Sequence, residues 1–555
     1  MAGKGKKEKG RRKGGRPMGK SSIRATRSGP PAGGRGFKLT YATMFDPPEE
    51  MHARFEKALA GVRAGLGKDH PMWIGGKDRY LDSKFEDRSP IDTGWMLGTF
   101  QRAGGPEVTE AIAAARSAWP GWAGRNWKDR VRLLRRAASL IEKRVYEIGA
   151  VLALEVGKNR MEALGEVQET ADLISYYCDQ MEANGGYVKE MGADPLKGYW
   201  SRNRSVLKPH GVWAVISPFN FPFALTGGPS GAALVAGNTV VCKPSSETPS
   251  GVRLLVEIFR DAGLPEGVFN YITGDGATTG RALMESPLVD GMTFTGSHEV
   301  GMGIFRAFAG GRWPRPCIAE MGGKNPAIVT RNADLDRAVL GILRSAFGLQ
   351  GQKCSACSRI LVEKGAAEKL KAKLLDLTGK IQIGDPTERT NWLGPVITST
   401  AYENYRKYAE ELRQGGKILT GGRQLIEGGL ANGYFCAPTI AEIPKDHRLG
   451  RVEMFLPIVT ITEVDSLDEA LGLANEVDYG LTAGFYGSKK EIRRFFDAIQ
   501  AGVTYANRPQ GATTGSWPGF QPFGGWKGSG STGKGGGSLY YLPQYLREQS
   551  QTVIE

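Results

Sequence analysis

The sequence predicts an α/β protein in which parallel sheets are covered by helices, and three observations lead there. From about residue 212, strand-like runs ("NTVVCK", "VFNYITG", "GMTFTGS") alternate with helical stretches such as "GVRLLVEIFRDAG", the pattern of strand–helix–strand units sharing one sheet. A second alternating series runs from about Glu320 to Ala506, with "NPAIVT", "SRILVE" and "PIVTITEV" as strands. A Gly-rich stretch, Gly528 to Gly537, then leads into "SLYYLPQYLREQSQTVIE", a strand-like segment whose natural partner is another subunit.

Each element has a local cause. Residues 1–38 hold thirteen Lys or Arg and one acid, Glu8, so they carry +12 of the net +15. With one Ile, one Phe and two Met, this tail has too little apolar surface to offset the entropy of ordering and is expected to be disordered. Such a tail can touch nucleic acid through charge alone, but the plainer reading is a solvated extension. From about 107 to 185 the chain reads as helices. In "DRVRLLRRAASLIEKR", Val131, Leu134, Ala138 and Ile141 recur at helical steps, with Arg132, Arg135, Arg136 and Lys143 on the other side. The period then changes. "GYWSRNRSVLKPHGVWAVISPFNFP" alternates at first and turns continuously apolar at Val212–Ile216, as a buried strand does.

Composition narrows the function. With 40% hydrophobic and 24% charged residues, the chain is an ordinary globular protein. Six cysteines, at 178, 242, 317, 354, 357 and 436, are too few and scattered for a secreted disulfide framework. No apolar run reaches the ~18 residues of a membrane span, and no signal-peptide core follows the basic start. The expected setting is cytoplasmic, with no membrane partner.

Among the glycine motifs, "GSGSTGK" (Gly528 to Lys534) fits G-x-x-x-x-G-K, but Gly535 stands where a phosphate loop needs Ser or Thr, and no strand leads in. A better nucleotide signal is "TGDGATTGRALMES". Its Gly274, Gly276 and Gly280 lie between a strand and a helical run, where small residues let a phosphate approach backbone N–H groups. "FTGSHEVG" gives a second such turn, with Gly296 and Ser297 at the junction, and Lys243 ends an apolar strand upstream. Together they favour a dinucleotide on a Rossmann-type region.

Cys354 and Cys357 form a C-x-x-C in "GQKCSACSR". A redox dithiol normally opens a helix soon after the first strand of a small unit, whereas this pair lies deep in a large chain. Zinc needs two further ligands, and no second Cys or His pair has the spacing, so no metal is expected. Serine-hydrolase chemistry lacks its G-x-S-x-G. One nucleophilic cysteine remains, with the other packed as a small hydrophobe. A catalytic thiol needs an oxyanion donor and, to hydrolyse a thioester, a base. Asn220 in "SPFNFP" offers a side-chain amide directly after the buried strand. Glu320 in "AEMGGKNP" offers a carboxylate among small and apolar neighbours that raise its pKa.

"PFNFP", "FTGSHEVG", "EMGGKNP", "GQKC" and "VEMFLP" occur here in the order of the NAD(P)-dependent aldehyde dehydrogenase superfamily, with the family's interval of 34 residues from Glu320 to Cys354. From about residue 45 to 555 the chain resembles that superfamily. "LRSAFGLQGQKCSACSR", "QETADLISYYCDQME" and "QPFGG" look most like its 1-pyrroline-5-carboxylate dehydrogenase branch, which oxidises L-glutamate γ-semialdehyde to L-glutamate in proline catabolism. The resemblance implies a Rossmann-type cofactor domain (39–194 and 211–320), an α/β catalytic domain (321–510) and a small β oligomerisation arm (195–210 and 511–555), assembled as a homo-oligomer.

It also implies roles for residues. Cys354 is the nucleophile and Cys357 a neighbour; Asn220 and the Cys354 N–H face the oxyanion; Glu320 activates water. Lys243 would meet the adenosine ribose, Ser217 and Phe219 the nicotinamide, Gly296 and Ser297 the pyrophosphate, and Glu453 and Phe455 the nicotinamide ribose. Ser246 stands where many NAD-specific members have Glu. A Ser there removes a charge that would repel a 2′-phosphate, so NADP stays open, although the branch often has Ser with NAD. Ser355, Gly511 and Ala512 match the positions that hold the substrate's α-carboxylate. Two departures stand out: the loop "NRPQGATTGSWPGFQPFGG" is one residue shorter before Gly511 and longer before "QPFGG", and Leu456 replaces the usual Gly of E-x-F-G-P. Two other readings compete: a dehydrogenase for another aliphatic or aromatic aldehyde, and a thiol oxidoreductase in which Cys357 is as essential as Cys354.

Overall fold

The computed structural model describes residues 2–3, 47–195, 197–512 and 517–554. The expected disorder of the tail falls almost wholly outside the described residues, as does 513–516 of the lengthened loop. Four helices, Gly105–Ala123, Trp127–Lys143, Val145–Val156 and Arg160–Ala183, fill the region read as helical. In the second, Val131, Leu134, Ala138 and Ile141 are buried while Arg132, Arg136 and Lys143 are exposed, and the Asn126 side chain caps its start by accepting the Lys128 N–H. Upstream, a helix Glu49–Arg63 and five strands between Lys68 and Gln101 escape the sequence reading. Those strands are three to six residues long, too short for a period to show.

The first large sheet has the spatial order Cys317–Glu320, Gly291–Thr295, Val212–Ile216, Thr239–Lys243, Phe269–Tyr271, Met72–Ile74, Lys77–Arg79. Its first five strands are parallel. Val212–Val215 and Thr239–Lys243 are buried throughout, which is why they read as continuous apolar runs rather than alternating ones. The chain starts at the central strand Val212–Ile216, steps outward through Thr239–Lys243 to Phe269–Tyr271, then crosses back to Gly291–Thr295 and Cys317–Glu320 on the other flank. This reversal opens a crevice at the carboxyl ends of Val212–Ile216 and Gly291–Thr295. The register aligns that edge: Ile216 is paired with Lys243 on one side and Phe294 on the other, and Thr295 with Glu320.

The second sheet runs Lys417–Thr420, Thr439–Glu442, Ile458–Val464, Cys357–Glu363, Asn325–Val329, Thr482–Tyr486, Val503–Ala506. All its pairs are parallel except the first. A separate three-stranded sheet joins Val188–Glu190, Ser201–Pro209 and Leu546–Ile554. The last strand, which the sequence reading assigns to another subunit, lies antiparallel on Ser201–Pro209 of its own chain, from Leu546 opposite Pro209 to Ile554 opposite Ser201, and forms one edge of this sheet. After "GSGSTGK" the backbone turns without entering a helix, as the missing Ser or Thr anticipates.

Candidate active site

Three loops meet at the carboxyl edge of the first sheet. The loop after Ile216 carries Ser217, Phe219 and Asn220; Glu320 ends its edge strand; and Cys354 precedes the strand Cys357–Glu363 of the second sheet. Buried Asn220 donates through Nδ2 to the Gln352 carbonyl at 2.9 Å, which ties the first loop to the thiol loop. The Asn325 amide donates to the Cys354 carbonyl at 2.6 Å and the Ala356 carbonyl at 2.9 Å. Between Glu320 and Asn325, the two glycines of "EMGGKNP" have a steric reason. A Cβ on Gly322 would strike the Glu453 carboxylate, and one on Gly323 would strike the Cys354 carbonyl. Only glycine lets the thiol loop, the Glu320 strand and Glu453 close on one another.

The thiol loop is held in a strained form. Leu349 and Gln350 have φ of 47° and 55°, a left-handed conformation that such residues adopt only when their surroundings impose it. Those surroundings are specific. The Leu349 N–H donates to Glu162 at 3.1 Å, and the Gln350 amide donates to the carbonyls of Gly157 at 2.8 Å and Pro395 at 2.7 Å. Lys353 is paired with Glu162 at 3.4 Å.

Burial dominates the electrostatics. It pushes the Glu320 carboxyl up to about 8, against a stabilising N–H from Gly525; Glu320 Oε2 is buried with no hydrogen-bond partner among the described residues. Burial likewise pushes Glu453 up to about 7, although its Oε1 accepts the Gly323 N–H at 2.7 Å. The Cys354 thiol is driven well above the usual thiol range by burial, then by Glu453 and Glu320, while the N–H groups of Ser355 and of Cys354 itself pull the other way. Cys357 lies elsewhere. It is buried in the core packed on the second sheet with Ala327, Ile360 and Phe347, its sulfur donates to the Arg359 carbonyl at 3.6 Å, and its N–H donates to Ser345. Burial pushes this thiol up to about 12. Cys357→Ser is therefore expected to keep most of the turnover and lower stability by about 1–3 kcal/mol, because a hydroxyl enters an apolar pocket; steady-state kinetics and urea unfolding check both.

The residues expected to meet a nucleotide follow the same edge. Ser217 lies 2.6 Å from Thr226 Oγ1, and the rings of Phe219 and Phe455 meet edge to face at 5.8 Å. Phe455 has φ 56°. Lys243 is buried, its Nζ donates to the Pro244 carbonyl at 2.8 Å, and burial lowers its pKa to about 8 despite Asp275. Gly280 borders the Lys243 side chain, whereas Gly276 is exposed. Gly296 donates its N–H to the Glu320 carbonyl at 3.1 Å, and Ser297 caps the helix His298–Ala309. Ser246 is half-buried beyond Lys243.

The three residues expected at the substrate's carboxylate are less gathered. Ser355 is buried, and its carbonyl accepts from Thr482 at 3.3 Å. Gly511, at φ 72°, backs onto the helix Leu335–Phe347, where a Cβ would strike the Gly341 carbonyl, and Ala512 packs on the core of the second sheet. In the lengthened loop, Arg508 stacks over Trp517 at 4.9 Å and donates to Gln521 at 2.9 Å. Sequence reasoning missed Glu162, Glu166, Asn325 and Gln350. A signal existed for the first two: charges on a helix whose every side from Ala163 to Ala171 is buried demand partners. Among the described residues, no group of three or more His, Cys, Asp or Glu could hold a metal, and no helix is long and apolar enough to cross a membrane.

The chain matches the aldehyde dehydrogenase family over residues 77–550. It is 36% identical to a 1-pyrroline-5-carboxylate dehydrogenase of Geobacillus sp. (strain WCH70) over 514 residues, 91% of this chain and 97% of that one. To 1-pyrroline-5-carboxylate dehydrogenase 1 of Halalkalibacterium halodurans it is 38% identical over 514 residues, with the same coverage of 91% and 97%. A crystal structure of 1-pyrroline-5-carboxylate dehydrogenase from Thermus with bound NAD superposes with a TM-score of 0.87 at 33% identity, covering 94% of this chain and 99% of that one. The chain belongs to the aldehyde dehydrogenase family.

Proposed function

We propose that the protein oxidises L-glutamate γ-semialdehyde, the open form of 1-pyrroline-5-carboxylate, to L-glutamate with NAD. The observation that carries this reading is one thiol, one amide and one carboxyl group of raised pKa meeting at the switch-point crevice, in a chain whose relatives of similar length share that named activity.

The crevice fits a dinucleotide. Strand ends and a helix N-terminus capped by Ser297 converge there, and buried Lys243 holds its ammonium on one carbonyl. Lys243, Ser246, Gly296 and Ser297 would hold the cofactor's adenosine and phosphate side; Ser217, Phe219, Glu453 and Phe455 would hold the nicotinamide side. NAD, when bound, supplies the acceptor for the hydride whose loss turns a Cys354 adduct into a thioester. Cys354 adds to the aldehyde carbon once its proton has left. Asn220 and the Cys354 N–H donate to the oxygen that becomes negative in that addition. Glu320, whose Oε2 has no other partner among the described residues, takes a proton from the water that attacks the thioester. Ser355, Gly511 and Ala512 would set the distance from thiol to substrate carboxylate. Exposed Met191, Tyr199, Trp200, Val553 and Ile554 on and beside the arm sheet support a homo-oligomer, and six unpaired cysteines support a reducing, cytoplasmic setting.

The lengthened loop, with Arg508 stacked on Trp517, favours one alternative, a different aliphatic or aromatic aldehyde. NADH formation from 1-pyrroline-5-carboxylate, compared with propanal and benzaldehyde, separates the two. Turnover on the first alone is expected; equal or better kcat/KM on the simple aldehydes would keep the mechanism and overturn the substrate.

A further inference from the structure

We propose that Glu166 is a positioning residue for the oxyanion site, holding the Asn220 loop against the nucleophile loop. This rests on the assignment of Asn220 as oxyanion donor. Glu166 is fully buried on the helix Arg160–Ala183, and its Oε1 accepts two backbone N–H groups, from Phe223 at 2.9 Å and Ala224 at 3.1 Å. These are the start of the helix Ala224–Ala236, and they end the short loop that carries Asn220. The other carboxylate oxygen is ion-paired with Lys158, also fully buried, whose ammonium sits over the Phe221 ring at 3.7 Å. The residues flanking Asn220 on its far side, Phe221 and Phe223, are thus both gripped by one buried pair. On the near side, Thr226 Oγ1 lies 2.6 Å from both Ser217 Oγ and the Pro222 carbonyl.

The same helix face reaches the thiol loop. Glu162, four residues earlier and so on one side with Glu166, accepts the Leu349 N–H and pairs with Lys353. Two carboxylates one helical turn apart therefore set the relative placement of the amide and the thiol, and Glu166 is the one that acts on the amide. A buried acceptor bonded to two N–H groups cannot be removed without the loop shifting, and a shift of about 1 Å in a reacting geometry lowers rate by up to about a hundredfold.

Neutral pairs keep the test free of a stranded buried charge. Lys158→Met with Glu166→Gln retains a carbonyl oxygen for the two N–H groups; kcat is expected to fall no more than about threefold. Lys158→Met with Glu166→Leu removes the acceptor at similar volume; kcat is expected to fall about ten- to a hundredfold, with the NAD dissociation constant unchanged. Combined with Asn220→Ala, the Leu variant should lose nothing beyond what Asn220→Ala alone loses. Glu166→Asp, which keeps the charge but draws the acceptor back, is the milder variant if the Leu pair does not fold, and it should lose kcat severalfold. Equal kcat in the Gln and Leu pairs, an unaltered kcat in Glu166→Asp, or losses that multiply with Asn220→Ala would each overturn the proposal. An Asn220→Ala enzyme with full activity would instead overturn the oxyanion assignment itself.

Discussion

Cys354→Ala is expected to lower aldehyde oxidation by about 10⁴-fold or more, to the background seen without enzyme, while leaving NAD affinity intact. The magnitude follows from chemistry rather than from lost packing. The thiol forms the only covalent bond to substrate in the proposed mechanism, and no neighbour can replace it. Cys357, three residues on, is turned into the core of the second sheet, with its sulfur on the Arg359 carbonyl. NADH formation and NAD titration of the same purified variant measure both halves. Residual oxidation within about a hundredfold of the parent would mean that another group attacks the aldehyde.

Glu320→Gln is expected to separate the two halves of the reaction. Addition and oxidation proceed, so each site forms one equivalent of NADH; hydrolysis then slows by about 10²–10⁴-fold, the usual contribution of a general base. A rapid burst followed by a slow steady state is the signature, and a uniformly slow trace without a burst would show that Glu320 acts before the thioester. The pH dependence has a definite sign. The base is the carboxylate form, and burial lifts its pKa to about 8. Below that value the active fraction of the base falls roughly tenfold per pH unit, and above it the contribution of the base levels off. The Cys354 thiol is also shifted upward, and because its reactive form is the thiolate, it adds to the same fall in rate on the acid limb. In Glu320→Gln the part of that limb belonging to hydrolysis should vanish.

How far the sequence reaches depends on how local the cause is. Val131, Leu134, Ala138 and Ile141 repeat at helical spacing, and they form the buried face. Val212–Ile216 is apolar on both sides because helices cover both faces of its sheet. The groups proposed to react were legible for a similar reason: Asn220, Glu320 and Cys354 each sit in a short contiguous motif beside a strand end. What was not legible is set by contacts distant along the chain. Nothing near Leu349 announces a left-handed φ, because the carboxylate that fixes it belongs to Glu162, 187 residues away. Glu166 acts 57 residues away, on the Phe223 N–H. The strand Leu546–Ile554 showed its own nature but not its partner, since alternation along one strand carries no address for the other.

That last pairing has a consequence in time. Ser201–Pro209 offers one edge to Val188–Glu190 almost at once, but its other neighbour, starting at Leu546, is made roughly 340 residues later. The first sheet waits as well: the Ser531 N–H and hydroxyl bond the edge strand at Ala319 and Cys317, and Tyr545 reaches Thr293 within it. At the usual pace of ribosomal synthesis, about 5–20 residues per second, the edge of Ser201–Pro209 stands open for roughly 15 to 70 s and the first sheet for roughly 10 to 50 s. The nascent chain therefore passes through a long interval with unclosed strands, when chaperone cover is worth most and when two chains on neighbouring ribosomes can exchange this segment.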